Sequence, residues 1–295
     1  MAKSKCTVSN TPCDRVQHFG IVSRIPDSMK KKVENDECIL CGGEFDLELA
    51  RRQHEKYIVT MRKLKVNMFE LEADEDTPLC CFLDRCAIVQ DGIAVICNKP
   101  ANRTQADINK EVDVVRRVLS FDLGQKVVDM AEVEGATLDG GDVLFTGKEF
   151  FVGLSKRTNM KGALFLADTF SNYPVSPIKL SDGSLHLKSF MSMAGPEIIA
   201  VGSSKEAQKA LKEIECKATF TYRKITLPDD GAANCVYVNK TLIHCSHEDF
   251  PESVKKFEEL FGHTLNRIEM PNSEFSKVDG ALTCRSILIQ KKPKA

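Results

Sequence analysis

Five amphipathic segments recur along the chain, with starts near residues 45, 106, 158, 204 and 251, a spacing of roughly 50 residues, and short β-type runs fill the intervals. This rhythm constrains the fold more than any single motif does. FDLELARRQHEKYIVTMRKL sets Leu47, Leu49, Ala50, His54, Tyr57, Ile58 and Met61 largely on one side, and DINKEVDVVRRVLSF does the same with Val112, Val115 and Leu119. TNMKGALFLADTFSNY follows Arg157. SSKEAQKALKEIE opens on a Ser203-x-x-Glu206 capping box; PESVKKFEELFG starts at Pro251, turns Val254, Phe257 and Phe261 inward and stops at Gly262. The runs CCFLDRCAIV and IAVICNK around Asp91-Gly92, VLFTGKEFFVGLS, IIAVGS, ANCVYVNKTLIHC and ALTCRSILIQ read as hairpins and returning strands. Each unit is then a hairpin, a helix and a returning strand, and five such units in a ring predict one α/β domain around a central channel. An open doubly wound sheet is the alternative, but it explains the regular hairpins poorly, because parallel strands are joined by crossovers.

A chain of 295 residues, 42% of them hydrophobic, can bury one large core, and no Gly/Ser-rich linker divides it. Residues 1–17 read as an N-terminal extension and 18–295 as a single domain. With 41 basic against 42 acidic residues, no polyanion-binding surface follows from the total charge, so nucleic acid is not an expected partner. The start, MAKSKCTVSNTPC, lacks an apolar signal core, and no run approaches the ~18 apolar residues of a membrane span; a cytoplasmic protein without membrane attachment is expected. Twelve cysteines in this length fall below the density of a disulfide scaffold and are expected to be free thiols. Cys38-x-x-Cys41 could be half a zinc site or a redox dithiol, yet no second CxxC or spaced His pair completes it. Asn102-Arg-Thr104 and Asn239-Lys-Thr241 match a glycosylation pattern that has meaning only with secretion.

Three places combine a reactive side chain with turn chemistry. TLDGGDVLFTG supplies Asp139 and Asp142, SDGSLHLKSF supplies His186 after an Asp182-Gly183 turn, and VDGALTCRSILI supplies Cys284 beyond Asp279-Gly280, at the start of the last apolar strand. Singly, each has an ordinary explanation in turn formation or packing. Jointly they are the parts of a thiol nucleophile, a general acid/base and a carboxylate that orients the imidazole.

TLDGGDVLFTGKEFFVGLSKRTN, LHLKSFMSMAGPEIIAVGSS, TLPDDGAANCVYVN and KVDGALTCRSILI resemble the dimethylarginine dimethylaminohydrolases, members of the guanidino-group-modifying α/β-propeller superfamily, and the likeness runs from about residue 45 to 290. The resemblance implies a five-unit propeller of ββαβ modules and hydrolysis of a methylated arginine to citrulline and dimethylamine. A guanidinium carbon resists attack because its charge is delocalised, so the reaction needs a soft anionic nucleophile and carboxylates that hold the cation in line. By resemblance, Cys284 attacks as thiolate and forms a covalent thiouronium; His186 protonates the departing amine and then activates water; Asp139 orients the imidazole. Asp142 is assigned to turn structure, and the glycine pair to a tight turn that lets Asp139 face the channel. Arg157 is similar to the arginine that grips the substrate carboxylate, Val278 and Asp279 to the loop whose backbone meets the substrate, and Arg103 to a second arginine. No cofactor is expected; a zinc ion held between Cys284 and His186 would be an inhibitor.

The chain departs from the family where substrate-holding carboxylates are expected: TPLCCFLDRCAIV carries Leu79 after the proline and Asp84-Arg85 in place of a Glu-Asp pair. A fixed cation about 4 Å from the substrate guanidinium would cost roughly 4 kcal/mol at an effective dielectric of 20. Read as a strand, adjacent residues face opposite ways, so function turns on which of Asp84 and Arg85 points at the Cys284 sulfur. If it is Arg85, a binding or regulatory protein, or one for another guanidine, becomes the alternative to the hydrolase.

Overall fold

Each amphipathic segment folds as the crossover helix of a small three-stranded sheet. The computed structural model describes residues 17–34, 44–98, 112–181 and 186–291; Arg103, Cys38, Cys41, Asn102, the Asp182-Gly183 turn and the extension up to residue 16 lie outside them. The first sheet pairs β1 (Gln17–Ser23) parallel with β2 (Val66–Leu71) across a short helix α1 (Ser28–Glu34) and the long α2 (Leu47–Lys63). The second joins β3 (Ala87–Gln90) and β4 (Ile93–Ile96) as a hairpin, then crosses over through α3, described over 112–117 and ending in a π-type turn at Val118–Asp122, to β5 (Lys126–Asp129). The same hairpin, helix and parallel strand follow as β6 (Val143–Phe145), β7 (Phe150–Leu154), α4 (Met160–Thr169) and β8 (Val175–Lys179). They recur as β9 (Met191–Gly195), β10 (Ile198–Gly202), α5 (Lys205–Lys217) and β11 (Arg223–Leu227). The last complete run is β12 (Val236–Val238), β13 (Thr241–Cys245), α6 (Pro251–Phe261) and β14 (Asn266–Met270). The final strand, β15 (Ile287–Lys291), returns to pair antiparallel with β1, from Gln17↔Lys291 to Ile21↔Ile287, and completes the first sheet.

The packing closes the ring. α3 buries Val112, Val115 and Leu119 between its own sheet (Ala94, Ile96) and the first (Ile21, Ile287, Ile289). α4 sits likewise between the second and third sheets, α5 between the third and fourth, and α6 between the fourth and fifth. α2 then packs Tyr57, Ile58 and Met61 against Val22 and Val66 of the first sheet and Val236, Val238 and Ile243 of the fifth. A sheet of three strands cannot cover its own faces, so each helix serves two sheets and stability comes from the five interfaces. Among the described residues no helix is long and apolar enough to cross a membrane.

Local details depart from the sequence reading in two places. The cap of α5 is Ser204, whose side chain accepts from the Ala207 N–H, while the Ser203 hydroxyl donates to the Pro228 carbonyl in the neighbouring loop. CCFLDRCAIV is a strand only from Ala87. Before it the chain turns repeatedly, with Cys80 N–H donating to Thr77 O, Phe82 N–H to Leu79 O and Cys86 N–H to Leu83 O. Burial of Leu83 and Cys86 against the ring core explains why apolar content before Ala87 did not mean a strand. Asn239, in one glycosylation match, turns at φ 47° and donates its amide to Leu64 O at 2.7 Å, a structural use of the side chain.

Candidate active site

The turn or short helical turn before the leading strand of each sheet delivers one polar side chain: Asp84 before β3, Asp139 before β6, His186 before β9, Asn234 before β12 and Cys284 before β15. Cys284 therefore belongs to a tight helical turn, Thr283–Arg285, and not to the strand itself. Contacts among these turns bring them to one place. Asp84 N–H donates to the Cys284 carbonyl at 3.4 Å. Asn234, 2% exposed, donates its amide to Lys188 O and Thr283 Oγ1, both at 2.9 Å, and accepts from Thr283 N–H at 2.9 Å. One side chain thus ties the segment just after His186 to the residue before Cys284.

His186 Nε2 stands 3.3 Å from Asp139 Oδ2. Asp139 is held by Thr158 Oγ1, which accepts from its N–H, and by Gly141 N–H, which donates to its other oxygen. Burial pulls the imidazole down, but the adjacent Asp139 carboxylate, with Asp142 behind it, carries it above its ordinary value. The ion pair is therefore fully formed below pH about 6.5 and fades as pH rises through that raised value.

The glycine pair is needed for space and not for an unusual turn. Neither glycine has a positive φ; a Cβ on Gly140 would lie 1.9 Å from the Asp84 carbonyl oxygen, and one on Gly141 would lie 2.8 Å from the His186 ring. Asp142 does more than form a turn. Fully buried, it accepts from Leu187 N–H at 3.0 Å, from Ser155 Oγ at 2.7 Å and from Thr158 Oγ1 at 2.6 Å, so it anchors the segment carrying His186 to the loop carrying Arg157. Burial raises its carboxyl above the usual range. Asp142→Ala, which strands three donors, is expected to destabilise the fold by roughly 2–4 kcal/mol. Asp142→Asn keeps an acceptor for Leu187 and should cost visibly less in the same denaturant titration.

Asp84 belongs to the charge environment of the sulfur. Burial first and the Asp84 carboxylate second push the Cys284 thiol up to about 12. Arg85 turns back to donate Nη2 to the Leu79 carbonyl at 2.8 Å, so the two positions that depart from the family's carboxylates brace each other. Cys284 keeps partial solvent access. Burial and Asp84 thus disfavour the thiolate, while the Lys188 ammonium lowers its cost, as a further cation beside the sulfur would. Asp84→Asn removes a charge that opposes the thiolate. Iodoacetamide labelling of Cys284 at pH 8, followed peptide by peptide, is expected to speed up in this variant; an unchanged rate would remove Asp84 from the sulfur's surroundings.

Arg157 is half-buried with its N–H on Ser155 Oγ, and its charge reaches both His186 and Asp279. Val278 is buried; Asp279 takes a left-handed φ of 57° at the exposed rim, where Asp is among the residues that tolerate it. Burial raises its carboxyl, against the pull of His186 and Arg157. Next to Cys284 in the chain stands a residue that no motif singled out. Arg285 is fully buried, stacks 3.8 Å over Phe275, and donates to Gln53 O, Pro271 O and Asn272 Oδ1. Burial lowers its guanidinium to about 10. Lys188 and Asn234 were also missed. Their signal was positional: Lys188 follows His186 within one turn, and Asn234 fills the place in the fifth unit that Asp84, Asp139, His186 and Cys284 fill in the others. Among the described residues, no group of three or more His, Cys, Asp or Glu is arranged to hold a metal.

No family model matches the chain. The human DDAH2 protein is 38% identical over 259 residues, covering 84% of this chain and 87% of that one. The N(G),N(G)-dimethylarginine dimethylaminohydrolase of Pseudomonas aeruginosa is 27% identical over 250 residues, covering 83% and 90%. Among solved structures, a variant of the Pseudomonas aeruginosa enzyme complexed with citrulline superposes with a TM-score of 0.73 at 22% identity, over 92% of this chain and 98% of that one. The N-terminal domain of ArgZ, a cyanobacterial arginine dihydrolase, bound to product, reaches 0.75 at 17% identity, over 92% and 97%. With the five-sheet ring, and with similarity to human DDAH2 over most of both sequences, the chain belongs to the dimethylarginine dimethylaminohydrolase family.

Proposed function

We propose that the chain hydrolyses asymmetric dimethylarginine to citrulline and dimethylamine through a covalent intermediate on Cys284. The Pseudomonas aeruginosa and Streptomyces coelicolor relatives carry the name of that activity. The observation that carries the reading is the Asn234 bridge, which holds the His186 segment and the Cys284 turn against each other from two different sheets.

The guanidinium cation approaches Asp84, and its positive charge lowers the cost of ionising the thiol beside it. The thiol releases its proton to solvent and the resulting thiolate attacks the guanidinium carbon; the C–N bond to the dimethylamino group breaks as protonated His186 gives that nitrogen a proton. His186, now neutral and still steered by Asp139, takes a proton from water, which attacks the same carbon and releases the sulfur, leaving citrulline. Arg157 would receive the α-carboxylate, and the backbone at Val278 and Asp279 would line the substrate's path. Arg103 remains a second candidate for the carboxylate. A zinc ion bound to Cys284 and His186 would block both groups, so added zinc would act as an inhibitor and chelation would restore turnover.

The direct test is citrulline and dimethylamine release from asymmetric dimethylarginine by the purified protein, with the covalent adduct sought by mass spectrometry. Stoichiometric products and an adduct on the peptide containing Cys284 are expected. Absence of product at enzyme concentrations comparable to substrate would overturn the reading.

A further inference from the structure

Lys188 lies inside the candidate site, yet no step above uses it. Its Nζ is 3.0 Å from Asp84 Oδ2, with the two side chains 15% and 9% exposed. Its own carbonyl is pinned by Asn234, the residue that also holds Thr283. We propose that Lys188 is a specificity-determining residue: its ammonium occupies the cation position on Asp84, so that a permanently charged guanidinium must displace it or share the carboxylate, whereas a guanidine of reduced basicity need not.

The argument is one of charge balance. The Asp84 carboxylate acts on the Cys284 sulfur through its charge, and the neighbouring position is Arg85, whose guanidinium donates to Leu79 O. The Asp84–Lys188 pair is thus already neutral before any substrate arrives. Adding a second cation to one buried carboxylate sets two like charges within a few ångströms, in surroundings that screen them weakly. Burial pulls the Lys188 ammonium down, but Asp84, Cys284 and Asp139 together carry it above the ordinary lysine value, so it stays charged across the neutral range. A substrate such as an Nω-hydroxyguanidine, partly neutral near pH 8, reaches Cys284 without that conflict. This inference rests on the hydrolase reading but is tested in a way that survives its failure.

The experiment compares kcat/KM for Nω-hydroxyarginine and asymmetric dimethylarginine in the parent, Lys188→Met, Lys188→Gln and Lys188→Arg. The ratio of the first substrate to the second is expected to fall roughly ten- to a hundredfold in the Met and Gln variants and to persist in Lys188→Arg, which keeps the charge. Lys188→Gln retains a hydrogen-bond donor for Asp84 and serves where Lys188→Met does not fold. A ratio that moves equally in all three variants, or in none, overturns the proposal. Should neither substrate turn over, labelling of Cys284 by cationic and neutral methanethiosulfonates reads the same charge without catalysis. The cationic reagent is expected to gain relative to the neutral one in Lys188→Met and Lys188→Gln, and no gain overturns the proposal.

Discussion

Cys284→Ser is expected to abolish citrulline release, lowering kcat by at least ~10³-fold, as loss of a covalent nucleophile does elsewhere. A serine hydroxyl ionises far less readily than a thiol, and the only imidazole within the site's turns is engaged with Asp139 at 3.3 Å. The thiol is itself held protonated by burial and Asp84, so a group still harder to ionise has no route to the attacking anion. The variant should unfold at nearly the parent's denaturant midpoint, because one sulfur-to-oxygen exchange at a half-buried position leaves the packing intact. Cys216, which is exposed, provides the control, since its replacement by serine should leave turnover unchanged. Residual activity in Cys284→Ser close to that of the parent would place the nucleophile elsewhere.

Gly140→Ala is expected to be strongly damaging for a single-methyl change. The added carbon would fall 1.9 Å from the Asp84 carbonyl oxygen and 2.9 Å from its carbon. Both belong to backbone, so one turn must move away from the other. We expect a loss of roughly 3 kcal/mol or more in equilibrium unfolding, with activity falling too, because the displaced turns carry Asp84 and Asp139. Gly141→Ala provides the contrast. Its methyl meets the His186 ring at 2.8 Å, a side chain that can rotate, so stability should fall less and turnover more. Equal losses of stability in the two variants would show that backbone proximity is not what demands Gly140.

The repeating units could be read from the sequence because each helix has to satisfy two sheets. That demand writes a wide apolar stripe into every crossover, as at Ala207, Ala210, Leu211 and Ile214 of α5. Cys284, His186 and Asp139 stand out in the sequence because they lie in stretches that resemble the family. Other features depend on contacts between units that no local pattern records. Asp84 takes its direction from a series of turns braced on the Cys284 carbonyl, so the strand alternation invoked for it never applied. Asp142 looks like half of a turn motif, yet its three donors come from Ser155, Thr158 and Leu187. Arg285 reads as an ordinary charge beside the candidate nucleophile but is fully buried against Phe275. Lys188 was hidden for the opposite reason: lysines are usually solvated, and only the partner from another sheet makes this one part of the site.

Cys284 is carried immediately ahead of β15, the strand that pairs with β1 from the far end of the chain. During synthesis four sheets can form behind the ribosome while the first still lacks its third strand, and the sulfur has no carboxylate, imidazole or asparagine bridge until that late partner docks. Such widely separated pairing is slow to form, so the candidate groups meet the thiol only once the two ends of the first sheet have joined.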